Sequence, residues 1–208
     1  MSYEKQKRLL DVVVSVGLIL LFSPFWIVIP ILILFEDGFP IIYRHKRVGK
    51  KGQEFTLLKF RSMVTNADII LHKLDKKLLD KFKKNDWKIA ASEDPRITKV
   101  GRFLRALTID EFPQLFNVLK GDMSMVGPRA YLKRELDEQV ERYPSTKNNI
   151  PLILSVKPGI TGIWQTTGRN TISFKNRTKL DVKYVKNLSI TEDITILLKT
   201  PRAMVSKW

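Results

Sequence analysis

From Val12 to Phe35 the chain runs for 24 residues without a charge, reading VVVSVGLILLFSPFWIVIPILILF. That length is enough to cross a hydrocarbon core as a helix. It is too long for a signal peptide, and no small-residue cleavage site follows it. Ser23 and Pro24 interrupt the run near its middle. Proline removes a backbone donor and clashes with the preceding turn, which membrane helices tolerate where neighbouring groups satisfy the freed carbonyls. Lys5, Lys7 and Arg8 precede the segment, and Arg44, His45, Lys46, Arg47, Lys50 and Lys51 follow it. Cytoplasmic flanks are the basic ones, and here both are basic. The pattern therefore predicts a segment that enters a membrane, bends at Ser23-Pro24 and leaves on the same face. The alternative is a kinked spanning helix with unusual flanks.

Beyond residue 37 the pattern changes. PIIYR at 40–44 and EFTLLKF at 54–60 read as short strands about a turn at Gly49–Gly52. Between Asn66 and Lys84, Ile70, Leu74, Leu78 and Phe82 recur every fourth residue among lysines, the spacing of an amphipathic helix. It packs on the domain or lies basic face down on a membrane. Short helices are expected over 96–107, 111–119, 130–142 and 174–187, with a brief strand at 123–126. Ser189 and Glu192 have capping-box spacing ahead of a last helix that Pro201 should end or kink. The expected fold is α+β and mainly helical, divided into a re-entrant membrane helix over 1–37 and a cytosolic catalytic domain over 38–208.

Charge sharpens this division. Of 208 residues, 37 are Lys or Arg and 21 Asp or Glu, a net charge of +16. Three cations against four acids leave −1 on residues 1–37, so the remainder carries +17. Such an excess calls for an anionic partner, and a body held against anionic headgroups fits it. Nucleic acid fits poorly, because no aromatic-rich binding motif accompanies the charge. The absence of cysteine excludes disulfides, thiolate zinc and cysteine nucleophiles.

GxxxxGK[ST], GxSxG and GxGxxG motifs are absent. What stands out is the adjacent pair Asp110-Glu111, shortly after Arg102 and Arg105. Thr108 and Glu111 have capping-box spacing, and acids suit a first helical turn in any case. Pro113 would then sit inside the helix; starting the helix at Asp110 removes that cost. Arg129 after Gly127-Pro128, and Arg169 after Gly168, are arginines in glycine-marked loops, and Lys59, Arg61 and Arg96 add to the basic set. Arginine forks bind phosphate oxygens in pairs. A carboxylate pair beside such loops suggests phosphoryl transfer, with Mg2+ offsetting the charge of acid and phosphate.

RVGKKGQEFTLLKFRSM at 47–63, DPRITKVGRFLRALTIDEFPQLFNVLKGDMSMVGPR at 94–129, KPGITGIWQTTGRN at 157–170 and KLDVKYVKN at 179–187 resemble the small monotopic phosphoglycosyl transferases. These bacterial sugar transferases are also called undecaprenyl-phosphate sugar phosphotransferases. The resemblance includes KRLLDVVVSVGLILLFSPF near the start and covers almost the whole chain. It implies that Asp110 is a nucleophile that attacks the sugar-bearing phosphate of a UDP-sugar, releases UMP and forms a covalent phosphosugar intermediate. Undecaprenyl phosphate then takes the phosphosugar. Glu111 would assist and, with Asp110, hold Mg2+. Arg105, Arg129 and Arg169 match phosphate-contacting positions, Lys59 joins the nucleotide-binding set, and Ser23-Pro24 matches the helix break. The resemblance further implies the cytoplasmic face of a bacterial inner membrane, contact with phospholipids, and a hexose such as galactose or glucose used to begin exopolysaccharide, capsule or O-antigen. It leaves a homodimer open. Ala130 departs from the proline usual after the Gly-Pro-Arg turn. A non-catalytic membrane-anchored module binding anionic lipid or polysaccharide is the alternative reading.

Overall fold

The computed structural model describes residues 1–85, 89–90, 92–168 and 172–204. The long apolar run forms two helices, α1 (Tyr3–Leu21) and α2 (Phe25–Asp37), bent by 64° at the break. At the break the backbone switches to shorter bonds, Ser23 N–H to Leu20 O and Phe25 N–H to Phe22 O, while Pro24 offers no donor. Among the described residues no single helix is long and apolar enough to cross a membrane, whereas the bent pair meets that measure by combined length and composition only. Leu20, Leu21, Ile27 and Phe35 leave its outer side apolar and exposed. The inner side packs: Ile29 and Ile33 join Phe60, Leu104 and Ile109 in one cluster, and Val14, Leu18 and Trp26 border another around Leu57, Val118 and Met125.

Strands β1 (Ile42–Val48) and β2 (Glu54–Phe60) form an antiparallel hairpin, with Ile42 opposite Phe60 and Val48 opposite Glu54. The first strand begins two residues later than expected and continues through the basic stretch. Arg44 and Lys46 face out while Tyr43, His45 and Arg47 turn inward, the period-two alternation of a half-buried strand.

The expected helix over 66–84 divides into α3 (Ala67–Ile69), a wide turn over Ile70–Leu74 and α4 (Lys76–Lys84). Asp75 is the reason: its carboxylate accepts from Leu78 N–H at 2.8 Å and starts a new helix. Leu74, counted as part of the apolar stripe, is exposed. The helix expected from Arg96 starts later, as α5 (Lys99–Ala106), because Thr98 caps it through Gly101 N–H. Arg96 instead forks onto the Asp94 carboxylate at 2.8 and 2.7 Å, with both residues buried.

Helix α6 (Gln114–Lys120) leads to β3 (Ser124–Val126). Helices α7 (Lys133–Arg142) and α8 (Asn149–Ile153) follow, before β4 (Gly159–Thr161) pairs parallel to β3. The chain then forms α9 (Ile163–Thr167), α10 (Phe174–Lys186) and α11 (Ile190–Met204). Ser189 accepts from Glu192 N–H as its spacing predicts, and α11 continues through Pro201 to Met204. The described residues are mainly helical α+β with two two-stranded sheets.

Candidate active site

Asp110 and Glu111 lie on a single 3-10 turn (Ile109–Glu111) between α5 and α6. Neither expected helix start holds. Thr108 adopts a left-handed conformation (φ 59°) and its side chain caps nothing, and α6 begins only at Gln114, after Pro113. Pro113 therefore costs no helical hydrogen bond. A left-handed threonine is uncommon, and here it reverses the chain so that consecutive carboxylates emerge into one cavity.

Three residues fix the turn. The Asn117 side chain accepts from Leu58 N–H at 3.0 Å and donates to Thr56 O at 2.8 Å, docking α6 on the edge of β2. Glu36, at the end of α2, accepts from Lys99 and Val100 N–H at 2.7 and 2.9 Å, capping α5. Gly101 lets α5 press on the 61–63 segment: a Cβ there would stand 2.0 Å from Ser62 O.

Docked this way, β2 delivers Lys59 to the dyad. Its ammonium lies 2.6 Å from Glu111 Oε1 and 3.6 Å from Asp110 Oδ2. Asp110 is 4% exposed. Burial pushes its carboxyl above the ordinary range and neighbouring Glu111 adds to this, while Lys59 and then Arg105 oppose it. Arg105 donates from Nε to Ser62 Oγ at 2.8 Å, which holds its fork beside the dyad. Lys59, Arg105, Asp110 and Glu111 thus form one group.

Arg129 lies on another wall of the same cavity, of about 1960 Å³. Its guanidinium stacks 5.3 Å from the Trp164 ring centroid and 3.9 Å from Glu135. Arg47 lies on that wall too, donating to Ala130 O at 3.2 Å. Its pKa is depressed to about 10, first by burial and next by Arg129, and Glu111 is among the acids that oppose this. The two walls therefore share one electrostatic field. Leu10, Val14, Leu18 and Phe22 of the N-terminal helix pair line a third, apolar side. Arg169 lies outside the described residues. Sequence reasoning missed Asn117, Glu135, Trp164 and Arg177, and treated Arg47 only as flanking charge; its sole signal was alternation along β1.

The donor set bears on magnesium. Among the described residues no three His, Cys, Asp or Glu side chains gather to cage a metal. Magnesium is commonly held by one or two carboxylates together with substrate phosphates and water, so Asp110 and Glu111 fit an ion shared with a phosphorylated ligand.

The site is thus a paired-carboxylate cavity with arginine-lined walls, on a helical body carrying a broken apolar hairpin. The chain belongs to the bacterial sugar transferase family, whose model matches residues 2–207. It is 43% identical over 205 residues to the undecaprenyl-phosphate galactose phosphotransferase of Salmonella typhimurium, covering 97% of this chain and 40% of that protein. It is 40% identical to the exopolysaccharide production protein ExoY of Rhizobium meliloti, over 93% of this chain and 83% of that one. A UDP-N-acetylgalactosamine-undecaprenyl-phosphate N-acetylgalactosaminephosphotransferase of Aeromonas hydrophila is 34% identical over 96% of this chain and 44% of its own. The chain thus spans about two fifths of the Salmonella relative.

Proposed function

We propose that the protein transfers a sugar-1-phosphate from a UDP-sugar to undecaprenyl phosphate on the cytoplasmic face of a bacterial inner membrane. The observation that carries this reading is the buried Asp110, clamped by Lys59 in a cavity that has arginines on one wall and the apolar face of α1 on another. A polar donor and a lipid-borne acceptor both need such a site. The names of the relatives support the reaction class, and the exposed apolar side of the bent helix pair supports re-entrant insertion among phospholipids.

In the proposed sequence, an Asp110 oxygen attacks the sugar-bearing phosphorus. The bond to the bridging oxygen breaks and UMP leaves with that electron pair. An oxygen of the lipid phosphate then attacks the same phosphorus, the aspartyl bond breaks, and the Asp110 carboxylate returns as the lipid diphosphate sugar forms. Two steps on one carboxylate let two bulky phosphates use one site in turn. Glu111 assists the second attack. Bound Mg2+, held by Asp110 and Glu111, would neutralise phosphate charge. Arg105, Arg129 and Arg169 bind phosphate. The sugar proposed is a hexose such as galactose or glucose, used in exopolysaccharide, capsule or O-antigen synthesis.

The test is Asp110→Asn in membranes supplied with labelled UDP-sugars and undecaprenyl phosphate. Turnover and the covalent phosphosugar adduct are both expected to vanish. Full turnover by the variant rejects Asp110 as nucleophile. Tags at Met1 and at Trp208 should both be cytoplasmic, and an outward-facing Met1 rejects the re-entrant insertion.

A further inference from the structure

Behind Arg129 lies a charge cluster built on Glu135 and Arg177, two buried residues to which the proposed chemistry gives no role. Glu135, 2% exposed, is approached by three guanidiniums: Arg177 at 3.5 Å, and Arg47 and Arg129 at 3.9 Å each. Arg177 is fully buried and lies 5.1 Å from the Trp164 ring centroid, so one indole carries both Arg177 and Arg129. Among the described residues, none of the three nitrogens of Arg177 has a hydrogen-bond partner, and neither does Nε of Arg47 or of Arg129. The other groups facing the cluster add less than one full negative charge. Asp181 is pushed up to about 7 by burial and accepts from the Tyr131 hydroxyl. His45, 3.3 Å from Arg47, is held down to about 4 by burial and stays neutral. One fully buried cation and two partly buried ones therefore face one full carboxylate, an excess of positive charge that an anion entering from the cavity would offset.

We propose that Arg47 and Arg129 form a phosphate subsite, and that Arg177 acts as a positioning residue that occupies Glu135 so that the other two guanidiniums stay available to the incoming anion. Arg47 and Arg129 line the cavity, whereas Arg177 sits behind it and takes the shortest approach to Glu135. Without Arg177, Glu135 would draw in the two cavity arginines and cancel their charge. The proposal rests on the phosphate-transfer reading above, and deepens it by naming what sets the strength of its anion site.

A cycle of isosteric variants in the full chain, reconstituted in lipid nanodiscs, tests it. Binding of UDP and of undecaprenyl phosphate is measured separately, with thermal stability recorded for every variant. Arg177→Met is expected to weaken binding about tenfold, the scale of a lost charged interaction. Glu135→Gln is expected to tighten it several-fold, and the double variant to return close to wild type. A merely structural role for Arg177 would move affinity together with thermal stability and would not tighten binding in Glu135→Gln. The same pattern with UDP assigns the subsite to the donor diphosphate, with undecaprenyl phosphate to the acceptor phosphate, and either result supports it. If Glu135→Gln leaves both affinities unchanged or weakens them, the proposal is overturned, and that arm holds even if Arg177→Met fails to fold. Opposite shifts without any UMP release would reject the transferase reading alone. Normal turnover with a flat cycle would reject only the subsite.

Discussion

Removing the Lys59 ammonium should move the acid limb of the first chemical step upward in pH. At an effective dielectric constant near 20, unit charges 3.6 Å apart attract by about 4–5 kcal/mol. Lys59 is 27% exposed at its side chain, so water screens part of this, leaving about 2 kcal/mol. The sign follows from the site: burial already raises Asp110, and Lys59 is the largest opposing influence. In Lys59→Met the carboxylate therefore stays protonated to higher pH, and attack, which needs the anion, begins later on the pH axis. The assay is the burst of UMP from a UDP-sugar without acceptor, because the diphosphate stays ionised throughout and no lipid phosphate titrates. Lys59→Arg should recover most of the shift, and Lys59→Met should also lose amplitude as phosphate binding weakens. An acid limb unmoved in Lys59→Met, with a measurable burst, would refute the role given to Lys59.

Three further outcomes follow from the packing. Asp181 is pushed from 3.8 to about 7, so the folded state binds more protons than the unfolded one between those values. Stability should therefore fall as pH rises from about 4 to 7, by up to about 4 kcal/mol, and Asp181→Asn should flatten that slope in melting temperatures. Asp11→Ala strands two buried donors, Ser124 Oγ and Met125 N–H, each 2.9 Å from the Asp11 carboxylate. It should cost about 2–4 kcal/mol in denaturant unfolding, with Asp11→Asn milder. Gly101→Ala drives a methyl group into Ser62 O and should cost about 3 kcal/mol or more. It should also displace Arg105, so that UDP affinity falls more than global unfolding explains.

What could be read from sequence was what is local along the chain. The acidic pair, the nearby arginines, the serine-proline break and the β2 lysine all sit in contiguous stretches whose spacing carries their chemistry. The backbone under the dyad could not be read this way. A capping box needs Thr108 extended, whereas tertiary contacts hold it left-handed, and propensity gives no hint of that. The 66–84 stripe misled for a related reason: Asp75 satisfies period-four spacing as well as any polar residue, yet its better use is to cap. Arg47, Glu135 and Arg177 come from three distant segments, and each alone resembles an ordinary solvated charge. Only their convergence makes them a site.

The position of α6 shows why these parts cannot be separated. Its last carbonyls, of Val118 and Leu119, accept from the Arg8 guanidinium at 2.6 and 2.7 Å, and Asn117 ties its middle to β2. The turn bearing Asp110 leads directly into it. Arg8, which the sequence offers as a flanking topology charge, therefore caps the helix C-terminus, where a cation is favourable. Asp11, one turn further along α1, holds Ser124 and Met125 of β3, two residues before the Gly127-Pro128-Arg129 turn. The same apolar helix thus anchors both the acidic and the basic wall of the cavity. An apolar hairpin serving only as a tether would need none of these buried polar contacts. Their presence argues that α1 fixes the distance between the acidic dyad and the Arg129 turn, so exchanging residues 1–37 for an unrelated apolar segment should impair the proposed transfer even where the protein still folds.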